Sequence, residues 1–389
     1  MDRVPSVVYL DSNATSCPDP EVVEAMVRYL RNEWGNPSSV HCKGQAARAA
    51  IDEARAHLAR LCGCRDFELT FTGGGTEASN AAIRGLFKAR QPRKRIVTTT
   101  VEHSATRALC RLLATEGGAE VIAINVDEFG HLDMDELAAA VTDETALVTT
   151  LWANNETGVL FDVAAIAETC KRHKVPYHCD ATQAIGKIPT DFSALGIDAA
   201  TLAAHKFHGP KGVGALFVRR GLRIPPFIVG GPQERERRGG TENVPGIVGM
   251  GVAARLALEH LPDMPRVAGL RDELERRVLE EIPDTRVNGD TENRLPNTTN
   301  IGFAPLEAEA ILLMLSERGI CASAGSACSS GSLEASPILR AMKIPESYAH
   351  GSLRFSLSRL STRDDVDALV RELPQIVSRL RAITPTVPA

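Results

Sequence analysis

Pro176-Tyr177-His178-Cys179-Asp180-Ala181-Thr182-Gln183 and, about one strand–helix unit later, Ala199-Ala200-Thr201-Leu202-Ala203-Ala204-His205-Lys206 decide how this chain is read. Each segment is a short β-favouring run that ends in an ionisable group. Similar runs precede them at 68–72, 95–100, 121–125 and 147–152. Helical stretches at 76–88, 104–115 and 163–173 separate most of these runs. Strands alternating with helices predict βα units and a mostly parallel sheet. Ahead of them, Asp19-Pro20-Glu21 reads as an N-cap with proline at the first helical position, followed by Val22, Met26 and Leu30 at helical spacing. Ile51, Ala54, Leu58 and Leu61 mark a second helix, which Gly63 ends.

The pattern breaks at 221–241, which holds Pro225-Pro226, Gly230-Gly231-Pro232 and the charge run Glu234-Arg235-Glu236-Arg237-Arg238, the composition of a solvated loop. A helix is expected at 247–260. Leu261-Pro262-Asp263 and Pro265 then read as a hinge. Beyond it come a helix at 270–281, a strand at 299–303, a helix at 307–318 and a last helical pair, a smaller α+β part. The tail at 384–389 is expected to fray.

The chain has 389 residues, 43% of them apolar and 24% charged, as in an ordinary globular protein of two or three domains. Forty-four basic against 49 acidic residues give a formal charge of −5, which argues against a nucleic-acid partner. No apolar run approaches the length of a membrane span, and Met1 to Leu10 lacks the apolar stretch of a signal peptide. A cytoplasmic location is therefore expected. Nine cysteines stand at 17, 42, 62, 64, 110, 170, 179, 321 and 328. Their odd number and the absence of a C-x-x-C pair argue against a disulfide framework and a structural zinc.

In an open parallel sheet, ligands bind beyond the carboxyl ends of the strands. Polar residues collect there: Gly73-Gly74-Gly75-Thr76-Glu77 after 68–72, Glu102-His103 after 95–100, Asn154-Asn155-Glu156-Thr157-Gly158 after 147–152, then Asp180 with Gln183, and His205-Lys206. Singly, each is as readily a cap or a satisfied core group. Together they form a constellation whose chemistry points to pyridoxal phosphate. A lysine can form a Schiff base with its aldehyde, and a carboxylate can pair with its protonated ring nitrogen and keep the ring an electron sink. The glycine turn with Thr76 can take the phosphate at a helix start. His103 can stack on the ring, and Gln183 can bond its hydroxyl.

Further segments fall into the same order: Tyr9-Leu10-Asp11 with Asn13-Ala14-Thr15, Gly35-Asn36-Pro37-Ser38, Arg238 with Gly240-Thr241-Glu242-Asn243, Gly325-Ser326-Ala327-Cys328 and Arg354-Phe355-Ser356. With the strand-end motifs they resemble a cysteine desulfurase of the NifS/IscS type, in the class V aminotransferase group, from about residue 8 to 360. The resemblance implies the fold-type I architecture of pyridoxal-phosphate-dependent transferases, an α/β class with a mostly parallel seven-stranded sheet. The large domain would span 16–260, and 1–15 with 261–389 would form the small α+β domain, bearing the catalytic-cysteine loop at about 321–333.

Carried over by position, Lys206 is the Schiff-base lysine and Asp180 the ring-nitrogen partner. Gln183 reaches the ring oxygen, His103 stacks on the ring as an acid–base group, and Asn155 contacts the ring. Gly75, Thr76 and His205 hold the phosphate, and Thr241 reaches the phosphate of a neighbouring subunit in a homodimer. Arg354 binds the substrate carboxylate, assisted by Asn36. No metal is implied. Two departures touch the phosphate cradle: Ala203 stands where the family often has serine, and Gly73-Gly74-Gly75 replaces a more usual Ser-Gly-Ala.

Cys328 lies among small residues between Gly325 and Gly331, where a core thiol has little to pack against. The resemblance makes it the thiolate that attacks the sulfur of L-cysteine, leaving L-alanine and a persulfide for an acceptor such as an iron–sulfur scaffold protein. Cys62, Cys64, Cys179 and Cys321 are expected to be structural. The same scaffold could instead serve a selenocysteine lyase, another β-eliminating enzyme or an aminotransferase. A catalytically silent iron–sulfur assembly scaffold would have no need of both Lys206 and Asp180.

Overall fold

A computed structural model describes residues 7–324 and 335–383. Seven strands form the central sheet: β2 (Leu69–Thr72), β3 (Arg95–Thr99), β4 (Glu120–Ile124), β5 (Thr145–Leu151), β6 (Tyr177–Asp180), β7 (Ala199–Ala203) and β8 (Gly214–Val218). Their spatial order is β2-β8-β7-β6-β5-β3-β4. Strand β8 runs antiparallel to both of its neighbours, and the other pairings are parallel. The expected α/β sheet is present. Strand β8, which the sequence reading did not mark, supplies the antiparallel element.

Adjacent strand residues enter opposite apolar layers, the period-2 alternation of a sheet covered on both faces. Ile96, Leu147, Leu216 and Val218 pack with helices α3 (Gly75–Ala89) and α4 (Ser104–Gly117). Val97, Val148, Ala215 and Phe217 join the opposite layer. That layer draws on α2 (Cys42–Cys62), α5 (Met134–Ala140), α6 (Val163–Arg172) and α7 (Val244–Glu259). Helix α1 (Pro20–Arg31) begins as expected, with Asp19 Oδ1 accepting the N–H of Glu21. Helix α2 ends at Gly63, which takes the left-handed conformation at φ 61°. Helix α7 lies so close to α2 that a Cβ at Gly251 would fall 2.4 Å from the Cα of Ala54.

At the expected hinge the chain bends between two helices. Leu261–Asp263 forms one 3₁₀ turn that leads into α8 (Met264–Glu281), and the two long helices meet at 51°. Pro265 sits in the first turn of α8, where a missing N–H breaks no helical bond. A second apolar core gathers Leu10 with residues of α8, β10 (Thr298–Phe303), α9 (Ala308–Glu317), β12 (Ser352–Ser356) and α12 (Arg363–Ile383). Strand β10 pairs antiparallel with β12 and with β9 (Thr285–Val287). Near them β1 (Val8–Tyr9) pairs parallel with β11 (Ile320–Cys321). Helix α12 runs 21 residues through Pro374, so the expected last pair is one long helix preceded by α10 (Pro337–Ala341) and α11 (Glu346–Ala349). Among the described residues, no single helix is long and apolar enough to cross a membrane.

The charge run is solvated at Arg235, Glu236 and Arg237, as expected, but not at its first residue. Glu234 is buried, not solvated, and holds Arg55 through two hydrogen bonds of 2.9 and 2.7 Å. Its Oε2 also accepts the N–H of Phe71 at 2.8 Å, and Arg55 donates to the Leu69 carbonyl at 3.0 Å. The pair thereby pins this loop to β2. Both side chains are 3% exposed. Arg55→Met would strand a buried carboxylate, and a loss of about 3–5 kcal/mol of stability is expected from urea unfolding.

Candidate active site

The carboxyl ends of β2, β3, β5, β6 and β7 open on one cavity of about 280 Å³. Its walls include Gly75, Thr76, His103, Asn155, Asp180, Gln183, His205, Lys206 and Arg354. The topology therefore brings together nine of the residues expected from the sequence. Asn36 and Thr241 are exposed and stand off this wall, Thr241 lining a separate pocket beside Gly73. Cys328 lies outside the described residues, as do Gly325, Ser326 and Ala327.

Lys206 ends the 3₁₀ turn that follows β7. Its Nζ donates to the carbonyls of Asn13 at 2.6 Å and Ala14 at 2.9 Å. The segment between β1 and α1 thus aims the amine into the cavity. Asp180 is the last residue of β6, and its Oδ1 accepts the N–H of Thr182 at 3.0 Å. Gln183 donates from Nε2 to the Asn13 carbonyl at 3.0 Å.

His103 caps α4, its Nδ1 accepting the N–H of Ala105 at 3.2 Å. A backbone N–H can only donate, so the neutral ring carries its proton on Nε2. Burial lowers the basicity of His103, with Lys206 and Arg107 adding to the effect against the opposing pull of Asp180. His205 is also held neutral: burial and neighbouring lysines push it down to about 4, and its Nδ1 meets Thr15 Oγ1 at 3.2 Å.

Helix α3 starts at the glycine turn, and the N–H groups of a first helical turn have no partner within their helix. Gly74 at φ 150° makes that approach possible, because a side chain rarely adopts this conformation. Gly73 N–H is used internally by Glu77 Oε2, at 2.7 Å. Arg354, on β12, donates from Nη1 to the Asn155 carbonyl at 2.8 Å and from Nη2 to Asp11 Oδ1 at 2.6 Å. Those bonds fix the plane of a guanidinium that is 2% exposed and lines the cavity.

Two wall residues were missed as site residues. Glu102 was noticed only as a neighbour of His103, yet it is fully buried. Its Oε1 accepts from Thr99 Oγ1 at 2.7 Å and from Leu151 N–H at 3.0 Å. Burial pushes its carboxyl up to about 8. Asn13 was quoted only as part of a motif, although its carbonyl receives both Lys206 and Gln183. Only the quoted Asn13-Ala14-Thr15 triplet offered a sequence signal for it.

The donor set fits pyridoxal phosphate: an amine for the aldehyde, a carboxylate for the ring nitrogen, an amide N–H for the ring oxygen and a helix start for the phosphate. The class-V aminotransferase family matches residues 8–369, and the chain belongs to that family of pyridoxal-phosphate enzymes. Within it the chain groups with the NifS-like cysteine desulfurases. It is 51% identical over 381 residues to a cysteine desulfurase of Trichormus azollae, covering 98% of this chain and 95% of the relative. The cysteine desulfurase NifS of Azotobacter vinelandii is 47% identical over 380 residues, covering 97% and 94%. A solved structure of a NifS-like protein superposes with a TM-score of 0.90 at 34% identity, over 96% of this chain and all of the other.

Proposed function

We propose that the chain is a pyridoxal-phosphate-dependent cysteine desulfurase that takes sulfur from L-cysteine onto Cys328 and releases L-alanine. The observation that carries this reading is the Lys206 amine, held by two backbone carbonyls in one cavity with Asp180, Gln183 and Arg354. Bound there, the cofactor supplies an electron sink for the bonds at the substrate's Cα.

The chain's own residues do the rest. Arg354, already fixed in plane, receives the substrate carboxylate, and Lys206 moves the proton at Cα. His103 lines the cavity and, with its proton on Nε2, can donate one there. Asp180 and Gln183 would hold the ring, with Asn155 as a further ring contact, and Gly75, Thr76 and His205 would hold the phosphate. The Cys328 thiolate attacks the substrate sulfur. One S–S bond forms and the C–S bond breaks. The released electron pair stays with the substrate carbon, which takes up a proton to become alanine. The persulfide then passes its outer sulfur to an acceptor thiol, such as that of an iron–sulfur scaffold protein.

A homodimer accounts for two residues off the wall. Asn36 and Thr241 are exposed, and Trp34 and Val40 near Asn36 are 72% and 88% exposed. A second copy covering this apolar strip would carry such residues to its partner's cavity. The separate apolar core built from Leu10 and residues of α8, β10, α9, β12 and α12 supports a small domain of 1–15 and 261–389 beside a large one of 16–260, with Leu295 and the apolar residues of 335–349 packing on the large core. A cytoplasmic setting suits a thiol that must begin each cycle reduced.

Borohydride reduction followed by peptide mapping tests the cofactor assignment. The cofactor's mass is expected on the peptide containing Lys206, and its appearance on another lysine would contradict the reading. Ala203 faces the cavity beside Gly75, its methyl 3.4 Å from where a Cβ there would lie. Ala203→Ser adds a hydroxyl to the phosphate wall. Cofactor loss on dialysis is expected to slow about fivefold, the worth of one hydrogen bond.

A further inference from the structure

Lys187 lies behind the cavity wall, against Gln183 and Asn13, and the proposed function gives it no role. It follows β6 in a succession of tight turns in which Ala184 and Ile185 N–H donate to the Ala181 carbonyl and Lys187 N–H to Ala184. This winding places residues 183 and 187 on one side. Gly186, at φ 73°, lies where a Cβ would fall 2.9 Å from that of Phe207, so the chain can turn Lys187 inward. The side chain is buried, and its Nζ lies 2.8 Å from Gln183 Oε1 and 3.0 Å from Asn13 Oδ1.

The orientation of the Gln183 amide follows from its other end. That end faces the Asn13 backbone carbonyl at 3.0 Å, an atom that can only accept, so it must be the NH₂. The carbonyl end then needs a donor, and Lys187 supplies it. An ammonium and a neutral amine both have enough N–H groups to serve Gln183 and Asn13 together. Asn13 in turn accepts Lys206 on its backbone oxygen at 2.6 Å. One chain of hydrogen bonds therefore joins Lys187, Gln183, Asn13 and Lys206.

We propose that Lys187 is a positioning residue that locks Gln183 as a hydrogen-bond donor toward the ring oxygen of the cofactor. This rests on the cofactor reading above. Gln183 is 6% exposed, so without Lys187 its carbonyl end would be left unsatisfied and the amide would be held at one end only, free to tilt away from the ring oxygen. Lys206 and Arg354 are the charged groups whose fields reach Lys187, and Lys187 acts on His205 and His208 in turn. Its hydrogen-bond partners are all neutral.

An N–H donated to the ring oxygen disperses its negative charge. Once that donor is lost, the adjoining nitrogen binds its proton more tightly. The test is a pH titration of the absorption of the pyridoxal-phosphate-loaded protein, with wild type, Lys187→Met, Gln183→Ala and the double variant compared. Each single variant is expected to raise the midpoint by roughly one pH unit, and the double variant no further than either.

Additive shifts, or an unshifted Lys187→Met, would overturn the proposal. If the Met variant does not fold, Lys187→Gln replaces it. Its shorter side chain cannot span both oxygens and must shift the midpoint in the same direction. An unshifted Lys187→Gln overturns the proposal equally. A wild type that binds no cofactor contradicts the cofactor reading and this inference together. A wild type that titrates beside an unshifted Lys187 variant contradicts this inference alone.

Discussion

Lys206→Ala is expected to abolish alanine formation from L-cysteine, lowering the turnover rate by about 10⁴-fold or more. In the proposed function Lys206 has two duties in one atom: it would hold the cofactor between cycles and carry the proton at the substrate's Cα. Its Nζ is aimed by the Asn13 and Ala14 carbonyls, and no other described amine is so placed at the end of β7. Lys187 cannot take over, because its own Nζ is spent on Gln183 and Asn13. The variant should fold normally, since the two carbonyls it leaves border a cavity that admits water. The check is alanine release in the presence of excess pyridoxal phosphate. A loss of less than tenfold would remove Lys206 from the chemistry.

The second large effect separates cofactor chemistry from sulfur transfer. Cys328→Ala is expected to keep the absorption of the bound cofactor and its change on adding L-cysteine, while sulfur release falls by about 10³-fold or more. The other eight cysteines are poor substitutes. Cys62, Cys110, Cys170 and Cys179 are buried, and burial holds their thiols protonated, Cys110 being pushed up to about 12. Cys64 and Cys321 are half-buried, and desolvation also raises Cys321. Cys17 and Cys42 are exposed but absent from the cavity wall. Sulfide release at the wild-type rate from the variant would make the enzyme a β-eliminating one that needs no protein thiol.

Much of the fold could be read from local pattern. Strands buried on both faces appear as short apolar runs, and their alternation with helices dictates a parallel sheet. Strand β8 escaped because Gly214-Ala-Leu-Phe-Val follows a glycine-rich turn with no helix between it and β7. The burial of Glu234 was illegible for a different reason. Its partner Arg55 lies 179 residues away, and a charge run gives no hint of a distant guanidinium.

The cavity itself was foreseeable from strand ends, because each polar group follows an apolar run directly. Glu102 and Lys187 were harder to recognise. One sits behind His103 and the other behind Gln183, and their roles depend on which atom of a neighbour they hold. Asn36 and Thr241 came from resemblance alone, and a single chain does not bring either to the cavity wall.

The most direct test is a single turnover of the pyridoxal-phosphate-loaded enzyme with L-cysteine and no added thiol, followed by alanine quantitation and mass mapping of every cysteine peptide. One alanine per active site is expected, together with the mass of one sulfur atom on the peptide containing Cys328 and on no other. Alanine formed in excess of active sites with no sulfur on Cys328, or sulfur retained on a different cysteine, would contradict the account.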